Sequence, residues 1–156
     1  HLFELNNGAY LDNHRDQLKE TVIWNIEAGR KLTASDIARA DIERAKIFER
    51  VARYFETHEY LVTVVNQVPP FPVDQEYVTE INGEKLSTYL DWMKSCYYIT
   101  ITGHPAISVP AGFTDDGLPV GIQIVGRRNA DFAVLQLAYA FEQATQVWKR
   151  RPLLAQ

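Results

Sequence analysis

The spacing of apolar positions changes several times along this chain, and each change marks a predicted element. From Asp12 to Ala28, Leu18, Val22 and Ile26 recur every four residues, the spacing that lines one face of a helix. Gly29 stands where a C-terminal cap belongs. Thr33-Ala34-Ser35-Asp36 then opens a longer helix. The Thr33 hydroxyl can accept from the amides that a first turn leaves free, and Asp36 lies near the positive end of the helix dipole. Ile37, Ala45, Phe48, Ala52 and Phe55 share one face of it, with Arg39, Glu43, Lys46, Arg50 and Arg53 opposite. Asp41 and Arg44 interrupt the apolar face, and their three-residue spacing lets them pair there.

Leu61 to Val65 is apolar and β-branched without strict alternation, which predicts a short strand buried on both faces. Residues 66–85, NQVPPFPVDQEYVTEINGEK, have three prolines and no period, so they form a long connection where most loops have ~4–6 residues. Its prolines favour an ordered wall over a floppy linker. Ser87 to about Thr100 returns to helix, with Leu86, Leu90, Met93 and Tyr97 at spacings of three and four, ended by Gly103 and Pro105. Ile107 to Val109 is a strand, Thr114 to Gly117 an Asp-Gly turn, and Val120 to Ile124 a second strand by its alternation. Gly121 inside that strand implies a close neighbour. Asp131 caps a last helix, whose Val134, Leu137, Ala138, Phe141, Thr145 and Trp148 share a face and which ends near Arg150 and Pro152. The order of elements predicts an α/β fold over residues 1–156, a single domain or a fragment of one, with about three strands and about four to five helices.

Composition narrows what such a chain does. With 46% hydrophobic and 23% charged residues among 156, it can bury a real core. A formal charge of −4, with basic and acidic residues interspersed, offers no patch for a phosphate backbone, so no nucleic-acid partner is expected. Cys96 is the one cysteine and cannot form an internal disulfide, which favours a reducing, cytoplasmic setting. No apolar run approaches the ~20 residues that span a bilayer, and the first residues lack the basic-then-apolar order of a signal peptide. No membrane association is expected. Met93 is the one methionine, so His1 is expected to follow a removed tag or leader, or an internal cut in a longer protein.

Candidate chemistry is thin. None of Ser35, Ser87, Ser95 and Ser108 lies in a Gly-x-Ser-x-Gly elbow, and Ser108 reads as a strand hydroxyl. Cys96 with His104 is the other nucleophile and base to weigh, and a small buried residue on a helix explains Cys96 better. His14, His58 and His104 are isolated, so no metal is expected. The glycines never cluster as a phosphate loop does, and no cofactor is indicated.

A resemblance is carried by Tyr89 to Thr145, above all TGHPAISVPAGF, the Asp-Gly turn, GLPVGIQIVG, then Asp131, Leu135 and AFEQAT. These residues resemble the C-terminal portion of the amidase signature family, and AGRKLTASDIARA and NQVPPFPVD upstream are similar to its bacterial and fungal members. One departure is Val64, where many members have proline. The resemblance implies an α/β/α sandwich around a large mixed sheet, and carboxamide hydrolysis through a Ser, cis-Ser, Lys triad with an oxyanion held by backbone amides. The triad and its Gly- and Ser-rich loop belong to the family's N-terminal part. Lys31, Lys46, Lys85 and Lys94 lie in no such segment, so no catalytic residue is expected within the chain. The resemblance implies substrate-pocket roles for the end of the Val62 to Val65 strand, for Asn66 and Gln67 in the loop after it, and for Trp92 and Tyr97 on the later helix. Core packing for Trp92 and loop pinning for Asn66 and Gln67 stand beside that reading. The expected partner is a small-molecule amide bound by the full-length enzyme. A small piece of a larger sheet also leaves edges that pair with other copies, so self-association or a homo-oligomer is expected. The alternative is a non-catalytic binding or assembly module derived from the same fold.

Overall fold

A computed structural model describes residues 1–152 and divides the chain into two compact units, His1–Ala45 and the part from Lys46 onward. The last four positions of the expected 1–156 range lie outside the described residues. No described helix is long and apolar enough to cross a membrane.

In the first unit, helices α1 (Leu2–His14) and α2 (Glu20–Arg30) bury Leu11, Ile23 and Ile26, with Leu18 and Val22 packed against them. This corrects the continuous helix expected from Asp12 to Ala28. A 3-10 turn over Arg15–Gln17 and an extended Leu18 break it, and the reversal lets both helices face one cluster. Nor is Gly29 a cap: it lies inside α2, buried, and a Cβ there would meet the Glu4 Cβ at 2.5 Å. The position needs glycine for a close helix approach. Arg30 closes the pair, with Nη2 donating to both Asp12 carboxylate oxygens at 2.9 and 2.8 Å and to the Gly8 carbonyl at 3.2 Å.

Helix α3 (Ala34–Thr57) begins as its sequence predicts. The Asp36 amide donates to Thr33 Oγ1 at 3.2 Å, and the Thr33 amide donates back to Asp36 Oδ2 at 2.9 Å, a reciprocal capping box. These Thr33 bonds hold the Asp36 carboxyl below its ordinary pKa. The predicted stripe is only partly right. Phe55 is buried and Ile37 and Phe48 are half-buried, but Ala45 and Ala52 are exposed, and Ile47, Val51 and Tyr54 are the other half-buried positions from Lys46 onward. Asp41 and Arg44 are exposed, and no ion pair joins them among the described residues.

The second unit is built on an antiparallel sheet in the order β1 (Tyr60–Val64), β5 (Pro119–Gly126), β4 (Ala106–Phe113). Val62 faces Ile124 in one register, and Ile107 faces Ile124 in the other. Helix α5 (Asp131–Thr145) covers one face, and Val109, Ile124, Val134 and Ala138 form the core with Leu137 and Phe141 beside it. Of the predicted α5 face, Thr145 and Trp148 are exposed: Thr145 is the last helical residue, and Gln146 turns left-handed at φ 53° and ends the helix before Trp148. Ala130, not Asp131, holds the N-cap position, and Asp131 is the first helical residue.

Three further expectations need correction. The β1 strand is not buried on both faces: it pairs on one side only, and Val62 and Val64 are 53% and 52% exposed. The 66–85 connection ends in a small hairpin of β2 (Glu80–Ile81) and β3 (Glu84–Lys85), turned by Asn82 and Gly83, both with positive φ. The helix expected from Ser87 starts later. A 3-10 turn over Asp91–Met93 leads into α4 (Lys94–Thr100), because the Asp91 carboxylate takes the Thr88 amide at 2.7 Å and holds that segment as a turn.

Candidate functional site

The end of β1 runs into a hollow of about 540 Å³. Val64 to Gln67 form one side, Val68 to Phe71 a second, and Trp92 and the start of β5 complete it. A bulge helps shape it, since the β4 register shifts between Pro110 and Gly112 and Ala111 lines the hollow. The sequence expectation at Gly121 holds: a Cβ there would lie 3.2 Å from both Ser108 Oγ and the Val109 carbonyl oxygen. Bare backbone at this position lets β4 and β5 close beside the hollow.

Of the residues proposed from sequence, Asn66, Gln67 and Trp92 meet here, and Tyr97 lies outside the lining. Trp92 packs edge-on to Phe71 with centroids 5.2 Å apart. Tyr97 instead packs edge-on to Tyr98 at 5.1 Å, and burial pushes its phenol pKa up. Gln67 also borders a second hollow of about 380 Å³ shared with Thr63, Lys94, Ser95 and Tyr98.

The wall at Val64 to Asn66 is held from behind. Ser95 Oγ donates to the Val65 carbonyl at 2.6 Å, and the Cys96 thiol reaches the same oxygen at 2.9 Å and Asn66 Oδ1 at 3.3 Å. Gln123 is the residue that sequence reasoning missed. It is 6% exposed, and its Nε2 donates to the Val64 carbonyl at 2.7 Å and the Ser95 carbonyl at 3.0 Å. One amide group therefore ties β5 to the end of β1 and to α4. Its signal was available in the strand alternation, because Gln123 between core-facing Ile122 and Ile124 must point to the opposite face.

Among the described residues, the candidate nucleophiles and bases are engaged elsewhere. Lys94 Nζ pairs with Asp91 Oδ1 at 2.9 Å, and that bond raises the lysine pKa, the reverse of what a neutral base needs. Asp91 is correspondingly held at about 2 by Lys94 and the Thr88 amide. Ser95 and Cys96 both spend their donors on Val65. His104 is buried, stacked on Phe55 at 5.0 Å, with Nδ1 3.0 Å from the Thr102 carbonyl oxygen. Among the described residues no three His, Cys, Asp or Glu side chains are placed to hold a metal ion.

The family profile for amidases matches residues 6–135. The chain belongs to the amidase family. It is similar to an acylamidase of Rhodococcus erythropolis, 33% identical over 138 residues, which are 88% of this chain and 28% of the relative. A subunit of the glutamyl-tRNA(Gln) amidotransferase of Thermodesulfovibrio yellowstonii is 36% identical over 74% of this chain and 23% of its own length. The solved structure of a bacterial aryl acylamidase of the amidase signature enzymes superposes with a TM-score of 0.79 at 29% identity, over 92% of this chain and 31% of that one. This amidase-family chain thus spans between 23% and 31% of these relatives. The shared fold accounts for helices α4 and α5 on opposite sides of one sheet, the local form of an α/β/α sandwich.

Proposed function

We propose that this chain is the C-terminal segment of an amidohydrolase that cleaves carboxamides to a carboxylate and ammonia or an amine. The Ser, cis-Ser, Lys triad lies outside residues 1–156, and this segment supplies sheet strands and one wall of the substrate cleft. Asn66, Gln67 and Trp92 border that cleft directly. The observation that carries the reading is the hollow at the end of β1, shaped by a bulge and braced by a buried glutamine, yet lined, among the described residues, by no serine, cysteine, histidine or lysine. A braced hollow without a nucleophile is what one wall of a divided site looks like. The single unpaired Cys96 fits a reducing cytoplasm.

The test is hydrolysis of acetanilide and simple aliphatic amides. The purified 156 residues give no turnover, and joining them to an upstream amidase segment carrying the triad gives turnover that a serine-directed inhibitor abolishes. Inhibitor-sensitive hydrolysis by the 156 residues alone overturns the placement of the triad.

A second reading, a non-catalytic assembly module on the same fold, draws on the exposed outer face of α5, where Phe132, Leu135 and Tyr139 are 72%, 54% and 66% exposed. An in-frame upstream segment with a Gly- and Ser-rich loop favours the enzyme reading. A start codon directly before residue 1 favours the module.

A further inference from the structure

We propose that Asn82 is a site of spontaneous covalent modification, losing its side-chain nitrogen to become aspartate and isoaspartate, while Asn7, in the same Asn-Gly sequence, is kept intact by its helix.

The chain has two Asn-Gly pairs, Asn7-Gly8 and Asn82-Gly83. Both have the composition that makes an asparagine labile, since a following glycine sets no side chain beside its own nitrogen. Local sequence does not separate them. Their surroundings do.

Asn82 and Gly83 are the two central residues of the turn between β2 and β3, exposed and with φ of 51° and 82°. Nothing lies within 4 Å of where a Cβ on Gly83 would stand, and the Asn82 carboxamide has no hydrogen bond among the described residues. The hairpin is a sheet of its own. Its strands are joined through the pairs Glu80 with Lys85 and Ile81 with Glu84, and the Leu86 amide donates to the Thr79 carbonyl at 2.8 Å. Attack by the Gly83 nitrogen requires the backbone about Asn82 to leave its turn conformation. So short a ladder, with Ile81 half-buried and its other strand residues exposed, opens without disturbing the main sheet.

Asn7 is placed otherwise. It lies inside α1, where the Gly8 amide donates along the helix. Asn7 Nδ2 donates to the Phe3 carbonyl at 2.8 Å, Gly8 is buried, and Arg30 Nη2 donates to the Gly8 carbonyl at 3.2 Å, which ties this turn of α1 to α2. Freeing the Gly8 nitrogen means unwinding α1 and breaking up the cluster of Leu11, Ile23 and Ile26.

The reaction needs only water and hydroxide. Hydroxide takes the proton of the Gly83 nitrogen, that nitrogen bonds to Asn82 Cγ and closes a five-membered imide, and the bond from Cγ to Nδ2 breaks. Nδ2 takes a proton from water and leaves as ammonia. Water then opens the imide: addition at Cγ gives aspartate, and addition at the Asn82 backbone carbonyl carbon leaves the chain running through Cγ as isoaspartate. The net change consumes water and releases ammonia, with no oxidation or reduction. Isoaspartate lengthens the path of the chain, so the two-residue turn no longer matches its strands.

The experiment is incubation of the 156-residue chain in mildly alkaline buffer, folded and in urea, with mass mapping of the peptides that hold residues 7 and 82 and an isoaspartyl methyltransferase assay. In urea the two pairs are expected to convert at comparable rates. In the folded chain Asn82 is expected to convert at least about tenfold faster than Asn7, because only its turn opens locally. Asn82→Gly, which keeps a turn of positive φ, is expected to remove the isoaspartate signal of the folded chain with the far-UV spectrum unchanged. A ratio of Asn82 to Asn7 conversion no greater in the folded chain than in urea overturns the proposal. So does a folded chain that forms no isoaspartate at residue 82 while the urea sample does, or a signal that persists undiminished in Asn82→Gly.

Discussion

Gln123 is the residue on which the candidate site depends most. Replacing it with leucine removes the donor for the Val64 and Ser95 carbonyls and leaves both oxygens without their partner. The expected loss is about 1–3 kcal/mol in urea unfolding, from the desolvation of unpaired carbonyls. Weaker binding in the hollow should accompany it, because the wall from Val64 to Asn66 loses its brace. Asp91 makes a second prediction, of pH dependence. Its folded pKa, about 2, lies below the ordinary aspartate value, so it contributes stability that is present above about pH 4 and is lost as pH falls toward 2. Comparing Asp91→Asn with the unaltered chain, the stability difference should hold constant from neutral pH to about pH 4 and shrink below it. A difference independent of pH down to 2 would contradict the pairing with Lys94. The sequence made residues such as Thr33 and Gly121 legible, since capping and close approach are local demands. For Gln123 the alternation gave only the face its side chain takes, and not its burial, because a polar residue in an alternating strand usually faces water.

At the scale of elements, the packing of α5 on β5 turns on Gly126. A Cβ there would lie 2.3 Å from Val134 Cγ2, inside any permitted contact. Gly126→Ala should therefore cost about 1–3 kcal/mol by overpacking. Combined with Val134→Ala, which makes room, the pair should cost less than the sum of the single changes in a double-mutant cycle. Strict additivity would show that the two positions do not press on each other. Elements with a strong period or a cap, α3 and α5, were readable along most of their length. Those decided by distant partners were not. The Leu61 to Val65 run has the composition of a strand covered on both faces, yet cover depends on how many strands and helices lie beside it, and β1 has a strand on one side only. The 3-10 turn before α4 likewise reflects one carboxylate bonding the Thr88 amide, a contact that an apolar period does not report. Asn82 and Gly83 did have a readable signal, since an Asn-Gly pair favours a tight hairpin.

For the whole molecule, the unpaired side of β1 and the outer face of α5 lead to an expectation of self-association. Val62 and Val64 present apolar side chains on a strand with a free edge, and such edges pair with other copies. Sedimentation of the 156-residue chain should show concentration-dependent association, and Val62→Lys should reduce it while keeping the fold. A monomer at high concentration that binds no hydrophobic dye would contradict this. Alone, the sequence determined the family, the α/β class and the presence of Asn66, Gln67 and Trp92, because family motifs, periods and caps are properties of neighbouring residues. Only the tertiary structure decided that three of the four proposed pocket residues share one hollow, that Tyr97 packs elsewhere, and that Gln123 braces the wall. Those outcomes depend on contacts such as the one from Gln123 to Val64, 59 positions apart, which follow from how strands pair and not from any local pattern.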